Sequence, residues 1–375
     1  MEELFDPGLT AASNTLFHAA LISYILAMVA YFFRMAFTRV SADGAQVSTT
    51  VGQRIGVVGT ALAIAGAGLQ FGSIVTRGMA SGRVPWANMF EYSSALAFLA
   101  VVIGLLVVQR HLGYGHLMGF VLMLSVITMA IGLMLYTDPG PVVPALENYW
   151  IRIHVTGAMV ASSIFMVAFG ATALYLVKDT AERRLAQRSG AGYGAGTVGA
   201  ASVDPEQATD AEVASPLAQR ETLSPVLFPV VPFSVVAAFV LVVWQAPVPA
   251  LLAASVAALC GIATWYAVPY LPSATQLDNL SYRTVAFGFP IWTFAVIAGA
   301  IWAEESWGRY WGWDPKETGS FFTWVLYAGY LHARVTHGWR GRPAAWIGVL
   351  AFVALMVTYY AVNLFVVSLH SYAGV

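Results

Sequence analysis

The chain has 375 residues, 59% of them hydrophobic and 10% charged, with a formal net charge of −1. Soluble domains carry about 25% charged residues, so a soluble enzyme and a disordered chain are both excluded, and no basic excess is available for nucleic acid. The single cysteine, Cys260, excludes an internal disulfide, a CxxC redox pair and a covalent CxxCH haem site.

The N-terminus carries Glu2, Glu3 and Asp6 and no basic residue before the first apolar run. That is the wrong sign for a signal peptide, so the first helix is expected to stay. A helix crossing a bilayer needs about 20 mostly apolar residues. With that ruler, spans are predicted at 14–36, 51–74, 92–108, 118–135, 150–177, 226–243, 250–268, 285–303, 321–333 and 346–366. Only Pro247, Val248 and Pro249 separate the sixth and seventh. Between 179 and 225 the composition shifts to Ala, Gly, Ser and charge, as in a flexible cytoplasmic linker. Residues 194–199 satisfy GxGxxG there, but no strand precedes them and no amphipathic helix follows, so a dinucleotide site is not expected. The expected organisation is a first membrane block (1–178), a linker (179–225) and a second membrane block (226–375). If the N-terminus is external, thirteen of the 18 Lys and Arg fall in inside loops and five in outside loops, as the positive-inside rule asks. The expected fold is an all-α polytopic transmembrane bundle of about ten spans with both termini external.

The densest aromatic patch, WGRYWGWDPKET at 307–318, lies just beyond Trp302 in an external loop. An interfacial belt spreads its rings over many helix ends; here Trp302, Trp307, Tyr310, Trp311 and Trp313 crowd one loop. Such rings suit a large, flat, apolar ligand with a polar edge. His154 lies about one turn into its span and His370 about one turn beyond the last, both on the side of this loop. Two imidazoles level with an aromatic platform form an axial pair for a planar metal macrocycle. His332 falls deep in the ninth span, where an ionisable group is by default functional. His18, His111, His116 and His337 fall at helix ends or in loops and read as solvated or interfacial. Asp314, Lys316 and Glu317 either orient carboxylates of the ligand or the protein substrate, or form a solvated loop edge.

The 307–318 run resembles the tryptophan-rich WWD signature of haem-handling proteins, and the chain as a whole resembles the CcsA/ResC family of System II cytochrome c biogenesis. Further segments agree: PWANMFE at 85–91, VPAL at 143–146 through Trp150 to His154, YLHAR at 330–334, and Asn363 through His370 to Tyr372. Three positions depart from the pattern: Gly319 stands at an expected Trp, Arg83 at a usual His, and Ala373 at a usual Gly. The resemblance implies haem b, non-covalent and in transit, with His154 and His370 as external iron ligands held against Trp307, Trp311 and Trp313. It implies His332 as a ligand of a second, intramembrane haem, completed by a CcsB/ResB-type membrane subunit. The catalytic set it implies is His154, His370 and Asp314, and the reaction is thioether attachment of haem to the CxxCH of an exported apocytochrome c, within a cytochrome c synthase complex.

The alternatives are a haem exporter or chaperone without synthase activity, and a bis-His membrane cytochrome b-type electron carrier. The latter needs two histidines at matching depth, which His154, His332 and His370 do not offer. Two Lys against sixteen Arg, with abundant Ala and Gly, point to a bacterial plasma membrane, with the active site on the external face.

Overall fold

Backbone groups in lipid have no water to bond, so long apolar runs resolve as helices; each of the ten predicted spans falls on one. The computed structural model describes residues 6–40, 46–140, 144–189, 216–245, 247–336 and 339–369. The chain runs through α1 (Pro7–Ala36), a short antiparallel hairpin of β1 (Thr38–Val40) and β2 (Gln46–Ser48), and α2 (Thr50–Ser81). It continues through α3 (Met89–Ile103), prolonged by a π-helical stretch Gly104–His111, then α4 (Met118–Met134) and α5 (Tyr149–Ser189). The short α6 (Pro216–Glu221) precedes α7 (Leu227–Trp244), α8 (Pro247–Ala267) and α9 (Ala274–Trp307). The last helices are α10 (Pro315–Val335) and α11 (Arg342–Met356), which passes through a π-helical stretch Val357–Ala361 into α12 (Val362–Phe365). Among the described residues, eight helices are long and apolar enough to cross a membrane, and α7 adds a shorter apolar stretch, Leu227–Ala238. The molecule is a polytopic, all-α membrane bundle.

The chain forms two compact units. The larger comprises Met1–Tyr31, Val57–Ala173 and Asp278–Val375. Its helices meet through buried polar contacts as well as apolar ones: Ser13 and Ser73 exchange hydroxyl-to-carbonyl bonds of 2.9 Å, and Tyr31 donates to Gln109 at 2.6 Å. Between α2 and α3 the backbone is organised around one buried carboxylate, Glu91. It accepts from Arg77 at 2.9 Å, from Arg83 at 2.8 Å and from the Ala87 N–H at 2.9 Å. Arg77 also reaches the Thr137 carbonyl and lies over the Phe90 ring, while Arg83 donates to the Gly140 carbonyl. Both arginines belong to the five cations that the charge count places in outside loops, and here both are paired with Glu91.

The smaller unit comprises Phe32–Gly56 and Leu174–Leu277. At about 1.5 Å per residue the 41 residues of α5 measure roughly 60 Å, twice the thickness of a bilayer core. Residues 179–189 of the expected linker thus continue α5 as helix, and α6 belongs to the same stretch. Lys178 donates to Gln219 at 2.6 Å and to the Val268 carbonyl at 3.1 Å, and Leu223 packs on Ala181 and Val268. Residues 190–215, with the GxGxxG run, lie outside the described residues.

Candidate functional site

The Asn148 side chain accepts from the Trp150 N–H at 2.7 Å and so starts α5, while its amide donates to Glu305 near the end of α9. One turn later His154 faces α9. Its Nδ1 lies 2.7 Å from the Ala295 carbonyl oxygen. A carbonyl only accepts, so Nδ1 carries the proton and Nε2 is left with its lone pair. Anchoring one ring nitrogen this way fixes tautomer and orientation and leaves the other as the metal-binding atom. The ring lies parallel to Trp302, with centroids 6.2 Å apart and an interplanar angle of 11°. Trp302 is buried and donates from Nε1 to the Ala145 carbonyl at 2.9 Å, which ties the Pro-Ala-Leu turn at 144–146 to α9.

His154 lines a cavity of about 1070 Å³, whose aromatic walls include Trp86, Trp292, Trp302 and Trp311. That is at the upper end of small-molecule pockets, and its mix of apolar walls and few polar groups is what a flat apolar ligand requires. The signature loop contributes unequally. Tyr310 and Trp311 line the cavity. Trp307 packs edge-on against Trp302, centroids 4.8 Å apart, and so supports the wall from behind. Trp313 is 63% exposed and meets Trp311 edge-on at 5.8 Å. Neither is among the lining residues. Trp86 and Trp292 come from distant stretches of chain, where spacing offers no hint of them; Trp86 was legible only as part of a matched segment.

The loop is built by its carboxylates. Glu317 accepts from Arg309 at 3.0 Å, from the Gly312 N–H at 2.8 Å and from the Asp314 N–H at 3.2 Å. Asp314 caps α10, forming a capping box with Glu317 ahead of Pro315. Its Oδ1 accepts from the Lys316 N–H at 3.1 Å, and its Oδ2 accepts from the Leu369 N–H at 2.9 Å. Asp314 thus holds the residue that precedes His370; His370 itself lies outside the described residues. The Trp313 backbone is left-handed, with φ of 57°, a strained conformation for a bulky residue that these bonds on both sides hold in place. Lys316 lines the cavity, and desolvation brings its ammonium down to about 8, against the opposing pull of Asp314.

The family model described as cytochrome C assembly protein matches residues 86–370. The chain belongs to this family. It is 33% identical over 331 residues to the cytochrome c biogenesis protein CcsA of Gloeothece citriformis (strain PCC 7424), covering 85% of this chain and 88% of that relative. With the CcsA of Rippkaea orientalis (strain PCC 8801 / RF-1) it shares 30% identity over 378 aligned positions, covering 97% and 98%. Similarity is higher locally: the CcsA of Guillardia theta is 54% identical over 96 residues, covering 26% of this chain and 32% of that relative.

In this cytochrome c assembly protein His332 occupies a different setting from His154. It is exposed on α10, and its carbonyl accepts the Thr336 N–H and hydroxyl. Among the described residues no side chain hydrogen-bonds its imidazole. What turns it outward is the buried face of the same helix. Arg334 pairs with Asp278 and lies over Tyr282, and the Tyr330 hydroxyl joins Ser281, which joins Thr172 at 2.6 Å. The family position expected to hold Trp, Gly319, lies against Thr358, so α10 approaches the π-helical stretch more closely than any larger residue permits. Arg83, at the position where His is usual, lines the cavity with its donors committed to Glu91, Val84 and Gly140. His18 bonds its own helix, Nδ1 to the Asn14 carbonyl at 2.6 Å, and takes no part in the site.

Proposed function

We propose that the protein serves cytochrome c biogenesis by carrying haem b across the bacterial plasma membrane and presenting it on the external face for covalent attachment. The observation that carries this reading is His154. Its Nδ1 is anchored on Ala295, its Nε2 is left for a metal, and its ring lies on a Trp-walled cavity large enough for a macrocycle. Haem is the cargo and substrate. His154 and His370 are its external iron ligands, and Asp314 acts through its bond to the Leu369 N–H, a positioning role for the segment that bears His370.

The chemistry is an addition. Each cysteine S–H of the CxxCH motif adds across a haem vinyl C=C: a C–S bond forms, the proton passes to the neighbouring carbon, and no electron is gained or lost. The chain's one cysteine, Cys260, lies in α8, and both thiols of the reaction come from the CxxCH motif. Its contribution is positioning: the cavity holds the macrocycle while the apocytochrome histidine displaces one imidazole and brings the cysteines beside the vinyl groups.

His332 takes the haem at the earlier, intramembrane position. Its exposure on α10 leaves the opposite coordination position to a residue from outside this chain, as a CcsB/ResB-type membrane subunit would provide. The test is co-expression of the chain with such a subunit and an exported apocytochrome c, followed by staining for covalent haem. Covalent haem is expected with the wild type and not with the His154→Gly, His370→Gly double variant. Haem at the external site retained with bis-imidazole spectra in that double variant would sink the ligand assignment.

A further inference from the structure

Where α5, α6 and α8 meet in the smaller unit, most cations have acceptors. Lys178 donates to Gln219 and to the Val268 carbonyl, Arg183 pairs with Asp179, and Arg184 donates to the Thr222 carbonyl at 3.0 Å. Arg220, on α6, differs. Its guanidinium lies over the rings of Trp265 and Tyr266 on α8, 4.6 and 5.1 Å from their centroids, and among the described residues it meets rings and no acceptor. Its Nε is shut off from solvent without a hydrogen bond, and so is the indole Nε1 of Trp265. Trp265 is itself held in place, packed against the cluster of Ala181, Leu223 and Val268. Donors buried without acceptors are costly. A guanidinium stacked on an aromatic ring has a fixed plane, and its edge carries the N–H fork that matches a phosphate.

We propose that Arg220 and Trp265 bind the phosphate of an anionic phospholipid at the membrane surface. The inference is independent of the haem reading, since every residue lining the cavity belongs to the larger unit. Depth and surroundings select a lipid over a free anion. Trp265 and Tyr266 fall in the last turn of α8, which ends at Ala267, and such rings gather at headgroup depth. From there an exposed apolar ridge runs back along the helix: Tyr266, Ile262, Leu259 and Val256 stand three or four residues apart and so share one face. The stretch from Val256 to Tyr266 measures about 15 Å, roughly half the thickness of a bilayer core, which is the depth of one leaflet's acyl chains. A phosphate on Arg220 with its chains along this ridge uses both features at once. Charge selects an anionic headgroup over phosphatidylcholine, whose own ammonium balances its phosphate.

The experiment titrates the full-length chain in detergent with phosphatidylglycerol or phosphatidylcholine and counts bound lipid by native mass spectrometry. The wild type is expected to bind phosphatidylglycerol about fivefold more tightly, the range for one basic side chain at a membrane surface. Arg220→Gln should abolish that preference at unchanged phosphatidylcholine binding, which separates loss of the site from misfolding. Trp265→Phe keeps the ring and removes the N–H, so it should weaken phosphatidylglycerol binding alone, and it carries the test if Arg220→Gln does not fold. Arg188→Gln, which removes an exposed cation from the end of α5, should bind as the wild type does. Equal binding of the two lipids by the wild type overturns the proposal, as do a preference kept in Arg220→Gln and wild-type affinity in Trp265→Phe. The same loss in Arg188→Gln overturns it too, since diffuse surface charge would then suffice. Excess inorganic phosphate should leave phosphatidylglycerol bound; displacement by phosphate alone would make this a soluble-anion site and overturn the lipid assignment.

Discussion

The ring of His154 lies over Gly299 so closely that a Cβ there would stand 2.6 Å from Nδ1 and 2.7 Å from Cε1. Real Cβ atoms do not approach ring atoms to that distance, so α9 presents bare backbone where α5 presents its ligand. Gly299→Ala is expected to push the imidazole off the Ala295 carbonyl and free its tautomer. Haem retained on purification should fall about tenfold or more, within the range for loss of a group that orients a metal ligand. Gly68→Ala is the control, since a Cβ at that helical glycine meets nothing within 4 Å; it should leave haem content unchanged. Wild-type haem content in Gly299→Ala would show that the ring is not held as described.

Glu91 is a buried carboxylate shared by two guanidiniums. Removing one partner from a buried ion pair typically costs about 3–5 kcal/mol, because the remaining charge is left uncompensated. Glu91→Ala leaves two such charges, one of them on the cavity wall. Thermal unfolding in detergent, followed by tryptophan fluorescence, should show a markedly lower midpoint than the wild type. An unchanged midpoint would mean that water or lipid headgroups solvate the pair.

How much of this was legible in the residues divides along a physical line. Span positions depend on local composition, and a run such as 285–303 has no alternative to helix in lipid, so the helices were readable. The crowding of Trp307, Tyr310, Trp311 and Trp313 was equally local. What was not readable depends on which helices face each other. Trp292 is one aromatic among many in an apolar span, and only the approach of α5 and α9 places it on the cavity with His154. The pairing of Arg77 and Arg83 was not readable for the same reason, since a charge count is blind to a carboxylate fourteen or eight residues away that binds both. Trp307 and Trp313 share the motif with Trp311, yet the left-handed turn at Trp313 sends neighbouring rings to different places.

The departure at Gly319 has a partner in Thr358. A Cβ on Gly319 would stand 2.8 Å from Thr358 Cγ2 and 3.0 Å from its Cβ. Restoring the family's usual residue by Gly319→Trp should therefore destabilise this chain, by about 1–3 kcal/mol or more as overpacking does. Accumulation in membranes is the measurement, expected to fall in the single variant and to recover partly in Gly319→Trp, Thr358→Gly. Wild-type accumulation of the single variant would show that α10 has room to move.

Asp314 uses two oxygens for two tasks, Oδ1 for the Lys316 N–H and Oδ2 for the Leu369 N–H. Asparagine supplies one acceptor oxygen, so Asp314→Asn can keep the helix cap or the tether but not both. Asn caps as well as Asp, whereas Ala loses about 1 kcal/mol at such a position, so the cap is the bond that Asn keeps by local geometry. The Leu369 N–H then loses its acceptor. If His370 is the second external ligand, its hold on iron should loosen while that of His154 persists. The low-spin bis-imidazole spectrum should shift toward a five-coordinate, high-spin one at nearly wild-type haem content. Asp314→Ala should give the same spectral shift with an added loss of thermal stability. A low-spin spectrum preserved in both variants would separate the Asp314–Leu369 bond from haem ligation and leave Asp314 as a helix cap alone.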